Sequence, residues 1–407
     1  MKTSISVCMI VKNETANLAR CLQSVKDIAD EIIIVDTGSE DQTVQIAQAF
    51  TDKVFHFDWS DDFSAARNQS LKQATGDWIL IIDADEVLDP QSAQMLPYLL
   101  NAHNNSVPLL LNARVLTPGK KGIFTKAFFP NHLGIHFKGR VHEWPAIKGQ
   151  WLKGIHCPEL VFHQVAAVPE KQKNKLKRYN QMLVESIAET NNSYEKTIYL
   201  KHLGESCLEL SNAQAAHQAF LSAQQTYLLS QAPKNRLVYH QLLLPLIQLE
   251  LEQGFKPLAL CQELTEYFPD YTEGWLLLAY VHFLLGQIKA CKEALLRVQI
   301  EKIPRQEQKR VQAHLCLLQG RVCLLEDNLD SGLALLEKAW SLTPCPELAW
   351  HLCRGQYLNK NLHQANYWAT QAQGHSLQWE SHIHTLSLWS VLEQAQFTRR
   401  NLVCTHA

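Results

Sequence analysis

The chain has 407 residues, 46% hydrophobic and 19% charged, with 38 basic against 40 acidic side chains. That length exceeds one ordinary core, so two or three domains are expected, and the composition excludes a disordered chain. The near balance of charge leaves no electrostatic case for nucleic acid or an anionic membrane as partner.

The N-terminus, MKTSISVCMIVKNE, holds a short β-like run rather than the apolar region and cleavage site of a signal peptide, so a cytoplasmic location is expected. The 11 cysteines include no CxxC pair and read as reduced, mostly buried thiols. The longest apolar run, WLLLAYVHFLLG at 275–286, is too short to cross a bilayer and reads as a buried helix, so no transmembrane segment is expected.

The first half alternates strand and helix patterns. ISVCMIV (5–11) is a continuous apolar strand, followed by a helical pattern with Leu18, Cys21, Leu22 and Val25. EIIIVD (31–36) is the second strand, and SEDQTVQIAQAF the second helix, with Ser39, Glu40 and Asp41 suited to its N-terminus. KVFHFD (53–58) is the third strand. FSAARNQSLKQA is the third helix, closed by Gly76, and WILII (78–82) is the fourth strand. Nearly all-apolar strands between helices predict an α/β domain on a mostly parallel, Rossmann-like sheet. Polar residues fall at the carboxyl end of each strand: Asn13 and Glu14, then Asp36, Asp58, and Asp83 with Asp85. In open α/β sheets that edge binds ligands.

From about residue 195 the strand signal fades and helical patterning repeats. Leu203-Gly204 precedes Ala216, Phe220 and Ala223; Trp275, Leu278, Ala279 and Gly286 form a partial copy; Gln319-Gly320 precedes Leu336, Ala339 and Pro344. Ala349 and Cys353, then Ala365, Ala369 and Ala372, form a further copy offset by roughly 33 residues. A small residue at the helix crossing and a later Ala/Phe/Ala set fit tetratricopeptide (TPR) spacing, so an all-α helical-hairpin solenoid is expected. The domains are placed at 1–190 and 191–407.

Asp83 and Asp85 in ILIIDADEVLDP are candidates for a divalent cation, because Mg²⁺ and Mn²⁺ take carboxylate oxygens together with substrate phosphates. Taken alone, the triplet reads as a turn before a helix that Asp85 or Asp89 caps near Pro90, ahead of a metal site. The wider pattern decides between them. ISVCMIVKNETANLARCLQSV, DEIIIVDTGSEDQT and FSAARNQSLKQATGDWILIIDADE, in that order over about 85 residues, resemble the inverting, nucleotide-sugar-dependent glycosyltransferases of family 2 type with the A-type fold. GRVHE, ending at Glu143, LVFHQ (160–164) and KNKLKRYN (173–180) are similar to a subgroup in which TPR repeats often follow.

The resemblance implies roles by position. Val11, Asn13 and Glu14 would line the nucleotide pocket; Asp36 would accept from the base; Arg67 and Asn68 would face the diphosphate or base; Asp83 would contact the ribose or the metal. Asp85 and His163 would ligate a divalent metal, Mn²⁺ or Mg²⁺, and Glu143 would be the catalytic base. The partners implied are a nucleotide-sugar donor, with uridine the expected base, and a protein, peptide or glycan acceptor, with the repeats positioning a protein. Bland readings stand beside these: Asp36 capping the Thr37-Gly38 turn, Glu143 paired with Arg140, and Lys171–Arg178 as a solvated helix face. His132, His136 and His142 match no zinc spacing. The subgroup's Arg-rich stretch is TKAFFPN here, with Lys126 its one cation. That departure motivates the alternative of a non-catalytic scaffold whose solenoid binds partners; a glycosyltransferase acting on a lipid-linked or polysaccharide acceptor is a further alternative.

Overall fold

The computed structural model describes residues 3–103, 105–118, 123–152, 154–165, 169–230 and 236–373, with only the backbone at 123–127, 169–172, 236–237 and 373. Lys126 and Lys171 therefore lie outside the described side chains. The chain divides into two compact units, Met1–Asn191 and Asn192–Ala407.

The first unit opens with β1 (Ile5–Val11), α1 (Leu18–Val25), β2 (Glu31–Asp36), α2 (Thr43–Gln48), β3 (Val54–His56), α3 (Phe63–Leu71) and β4 (Trp78–Ile81). It continues through β5 (Glu86–Leu88), α4 (Pro90–Asn101), β6 (Leu110–Leu116), β7 (Ile123–Pro130), β8 (His136–Lys138), β9 (Trp144–Ile147), β10 (Gln150–Trp151), β11 (Gly154–Gln164) and α5 (Pro169–Glu189). One sheet runs β3-β2-β1-β4-β7-β6-β11-β5, and a small antiparallel sheet runs β10-β9-β8. The β3-β2-β1-β4 half is parallel, and β6 pairs parallel with β11; β7 and β5 join antiparallel. The sheet is thus mixed, with the parallel half at the sequence's alternating segment.

The apolar runs explain the strands. Val7, Met9, Ile34, Leu80 and Phe162 lie in one buried cluster with Leu18, Leu22 and Leu96, while Cys8, Ile33, Ile79 and Ile81 cover the other face. Asp62 caps α3 by accepting from Ala65 N, and Asp89 caps α4 by accepting from Gln91 and Ser92 N, with Pro90 in the first turn. Two details differ from the sequence pattern. α2 begins only at Thr43, where Asp41 accepts from Thr43 N at 3.0 Å as well as from Thr15 N, while Ser39 Oγ accepts from Asn13 N in the neighbouring loop. Gly76 is not a helix cap: a Cβ there would stand 2.8 Å from Ser6 Oγ and 2.9 Å from Ser6 N, so glycine allows the close approach to β1.

The second unit is all-helical: α6 (Ser193–Glu209), α7 (Ala213–Leu229), α8 (Arg236–Glu252), α9 (Leu258–Tyr267), α10 (Thr272–Leu284), α11 (Ile288–Leu295), α12 (Arg305–Leu325), α13 (Leu329–Leu342), α14 (Pro346–Leu358) and α15 (Leu362–Gln373). Each helix packs on the next, and α6 on α8, α10 on α12 and α12 on α14, as in a stack of TPR-like hairpins. The hairpin turns hold Ser211, Gly254, Gly286, Asp327 and Lys360 at positive φ. Gly204 lies against the Phe220 ring and Gly320 against Leu336, which is the close crossing expected from the spacing. The cysteines among the described residues form no disulfide, and all but Cys323 are buried. No helix among them is long and apolar enough to cross a membrane.

Candidate active site

The carboxyl ends of β1, β2 and β4 share one edge, since these strands are parallel. Val11 stands opposite Asp36 in the ladder. Val11 is buried in the core, and its carbonyl accepts from Thr37 N and Thr37 Oγ1, each at 3.0 Å. Asp36 is 5% exposed and accepts from Gly38 N and Ser39 N, so it caps the turn at the same time as it faces the edge. Asn13, at φ 57°, accepts from Glu40 N at 2.8 Å, and Glu14 N donates to Thr43 Oγ1 at 2.7 Å. The loops after β1 and β2 are therefore laced into one rim.

After β4 the chain turns sharply. Asp83 N donates to Glu86 Oε2, and Glu86 N to Asp83 O, each at 3.0 Å. This reciprocal lock holds the acidic triplet and starts β5, which pairs with β11. Asp85 O accepts from Val165 N at 3.0 Å, and its carboxylate accepts from Gln164 Nε2 at 3.1 Å. Side chains alternate along a strand. Gln164 therefore reaches Asp85, while His163 turns to the other face and pairs with Asp89 at 3.3 Å. The structure brings Asp83, Asp85 and Gln164 together; it does not bring His163 to Asp85.

The GRVHE segment docks on α3. Phe63 N donates to Arg140 O (2.8 Å), Ser64 Oγ to Gly139 O (2.5 Å), and the Asn68 amide both donates to Phe137 O (2.9 Å) and accepts from Phe137 N (2.7 Å). Asn68 thus holds β8 rather than presenting its amide at the edge. Gly139 at φ 103° and His142 at φ 54° bend the β8–β9 loop so that Glu143 turns inward. There it meets Arg67, on the same side of α3 as Ser64 and Asn68. Arg67 Nε donates to Glu143 at 2.6 Å and its second terminal nitrogen to Asp83 at 2.7 Å. The guanidinium lies 5.6 Å from the Phe137 ring centroid, and its remaining nitrogen is buried with no hydrogen-bond partner. Arg140, three residues before Glu143, instead pairs with Glu189 and Glu185 of α5.

Residues 6–128 match the sequence model of the family described as Glycosyl transferase family 2. This segment is a family 2 glycosyl transferase domain. A TPR repeat-containing protein of Synechococcus elongatus is 60% identical over 84 residues, 21% of this chain and 21% of that protein. An uncharacterized glycosyltransferase of Rickettsia felis is 35% identical over 126 residues, 31% of this chain and 44% of that protein. The prophage-derived glycosyltransferase SunS of Bacillus subtilis is 32% identical over 152 residues, 35% of each chain. The chain spans less than half the length of these relatives.

The electrostatics of the family 2 domain follow from this geometry. Burial works against the Arg67 charge, but Asp83 and Glu143 outweigh it and hold its pKa above the usual arginine value. Burial and the neighbouring Asp83 charge push the Asp85 carboxyl up, with Lys175 of α5 acting in the opposite sense. Among the described residues no group of three or more His, Cys, Asp or Glu could hold a metal ion unaided. The domain fits the other kind of divalent site, in which one or two carboxylates share the ion with substrate phosphates. Arg67 pairs with Asp83 and Glu143, while Lys175 lies within electrostatic reach of Asp83 and Asp85. Gln164, Lys175 and Tyr179 are the residues that the sequence pattern did not single out. Lys175 and Tyr179 sit one turn apart in KNKLKRYN, where the basic run reads as a solvated face.

Proposed function

We propose that this protein transfers a sugar, with inversion, from a nucleoside-diphosphate donor, a uridine diphosphate sugar first among them, to an acceptor that the helical hairpins position. The observation that carries the reading is the convergence of Asp83, Asp85, Arg67 and Glu143 at one corner of a family 2 domain. A protein or peptide is the acceptor that a hairpin stack suits best.

Asp36 retains acceptor capacity beyond its two turn bonds and would take the imide N–H of the base; Asn13 and Glu14 form the adjacent rim. Asp85, with the donor's phosphate oxygens, would hold Mn²⁺ or Mg²⁺, and Asp83 would face the ribose or the same ion. When bound, the ion supplies Lewis-acid neutralisation of the charge that grows on the diphosphate leaving group. His163 would join it only by leaving Asp89. The buried Arg67 nitrogen without a partner suits a polyanionic ligand, since an unmet buried donor is costly. Glu143 would accept the acceptor's proton as it attacks the anomeric carbon. The Arg67 guanidinium favours its ionised form, the form a base needs. One base suffices for a single displacement, and no second carboxylate nucleophile is required.

The test is a panel of nucleotide-sugars incubated with the full chain and Mn²⁺ or Mg²⁺, with hydrolysis and transfer measured against Asp85→Ala. At least a hundredfold loss in the variant is expected. Failure of the wild-type chain to bind any common nucleoside diphosphate in calorimetry sinks the proposal.

A further inference from the structure

Three adjacent strands meet the acidic corner: β6 and β11 end beside it, and β5 begins there. Their register lines up three polar side chains. Leu116 stands opposite His163 in the parallel β6–β11 ladder, so Thr117 and Gln164, each one residue on, are neighbours on one face. Gln164 in turn stands opposite Glu86 in the antiparallel β11–β5 ladder, next to Asp85. The hydrogen bonds follow that row. Thr117 Oγ1 donates to Gln164 Oε1 at 3.0 Å, and Gln164 Nε2 donates to Asp85 Oδ2 at 3.1 Å. The backbone closes the corner, with Val165 N donating to Asp85 O at 3.0 Å.

The direction of this chain is fixed by chemistry. An ionised carboxylate only accepts, so it takes the N–H end of the amide and leaves the carbonyl end to the Thr117 hydroxyl. Both bonds point toward Asp85, and each polarises the next. We infer that Gln164, itself set by Thr117, is a positioning residue: its amide holds the Asp85 carboxylate by Oδ2 and leaves Oδ1 for the divalent ion shared with the donor's phosphates. This rests on the proposed function and adds to it the residues that aim the metal ligand. Partners one step behind a ligand fix its orientation and so set much of the affinity of a metal site. A tie that served only the strand ends would leave that affinity unmoved.

The experiment measures Mn²⁺ binding to the full chain by electron paramagnetic resonance, alone and with UDP, GDP, ADP or CDP. The variants are Asp85→Asn, Gln164→Met, Thr117→Val and the double variant Gln164→Met/Thr117→Val. Gln164→Met keeps the length of the side chain and removes its donor, and it should weaken Mn²⁺ binding about 10- to 100-fold. Thr117→Val, one bond further out, should weaken it about three- to tenfold. In the Gln164→Met background Thr117→Val should cost nothing more, because the hydroxyl acts only through the amide. Hydrogen exchange of the β6 and β11 peptides should match wild type in Thr117→Val, which has nearly the same shape. Full Mn²⁺ affinity in Gln164→Met with Asp85→Asn impaired, additive losses in the double variant, or losses that appear only with faster exchange of β6 and β11, each overturn the positioning role and leave the proposed function standing. Full Mn²⁺ affinity in Asp85→Asn, or no Mn²⁺ bound by wild type with any of the four diphosphates, overturns both.

Discussion

Replacing Arg67 by methionine tests the centre of the candidate site. The side chains of Arg67 and Glu143 are only 6% and 8% exposed, whereas Asp83 is 44% exposed. The two halves of the bridge therefore carry different weights. Losing the Asp83 half costs at most about 1 kcal/mol, because water screens that carboxylate. Losing the Glu143 half breaks a buried ion pair, which costs about 3–5 kcal/mol. With a urea dependence of about 2 kcal/mol per molar, the unfolding midpoint of this unit should fall by roughly 1.5–2.5 M. The units need separate readouts, because the hairpin stack unfolds by its own equilibrium. Hydrogen exchange of β1 and β4 peptides along a urea series supplies one. The double variant Arg67→Met/Glu143→Gln, which also removes the buried carboxylate's charge, should recover at least half the loss. A cost below about 1 kcal/mol, or a double variant no better than the single, would show that the bridge is not a buried ion pair in solution.

Asn68→Ala removes both bonds to the Phe137 backbone and should cost about 1–3 kcal/mol; if the same exchange assay shows no faster opening of β8, the docking role assigned to Asn68 is wrong. Burial opposes ionisation of Glu31, but bonds from Lys53, Ser6 and Thr75 outweigh it and hold its pKa at about 2, below the ordinary 4.5. Its contribution, about 2–3 kcal/mol, is therefore complete above pH ~4.5 and lost as pH falls toward 2. Urea titrations at pH 5 and 2.5 should show a smaller acid loss in Glu31→Gln than in wild type. Gly204→Ala would place a methyl 2.9 Å from the Phe220 ring and should destabilise the hairpin stack by about 1–3 kcal/mol, read as a lower calorimetric Tm; an unchanged Tm would mean that the α6–α7 crossing is looser than described.

The first four strands are legible because continuous apolar runs between helices have one stable arrangement, a sheet covered on both faces. β5 is not, because three residues after an acidic turn carry no periodicity and become a strand only through pairing with β11. The repeats are legible where glycine marks the crossing, at Gly204 and Gly320. The α8–α9 hairpin escapes because its helices lack that mark and α8 contains Pro245. At the site, residue types and order point to Asp83, Asp85, Arg67 and Glu143, but partners do not follow from spacing. Arg140 lies three residues before Glu143, yet the bend at His142 sends Glu143 to α3 and leaves Arg140 to α5. The choice between His163 and Gln164 is a matter of strand parity, which only the start of the β5–β11 ladder fixes.

The Arg67 bridge also has a schedule. Its Asp83 arm comes from 16 residues downstream and its Glu143 arm from 76. During synthesis the parallel half of the sheet leaves the ribosome first, with a guanidinium destined for the interior and only one acid to meet it. The second acid, and the Phe137 backbone that Asn68 holds, follow many seconds of translation later at the slower elongation rates. Until then Arg67 has only its Asp83 arm, and truncation before Glu143 would leave it so.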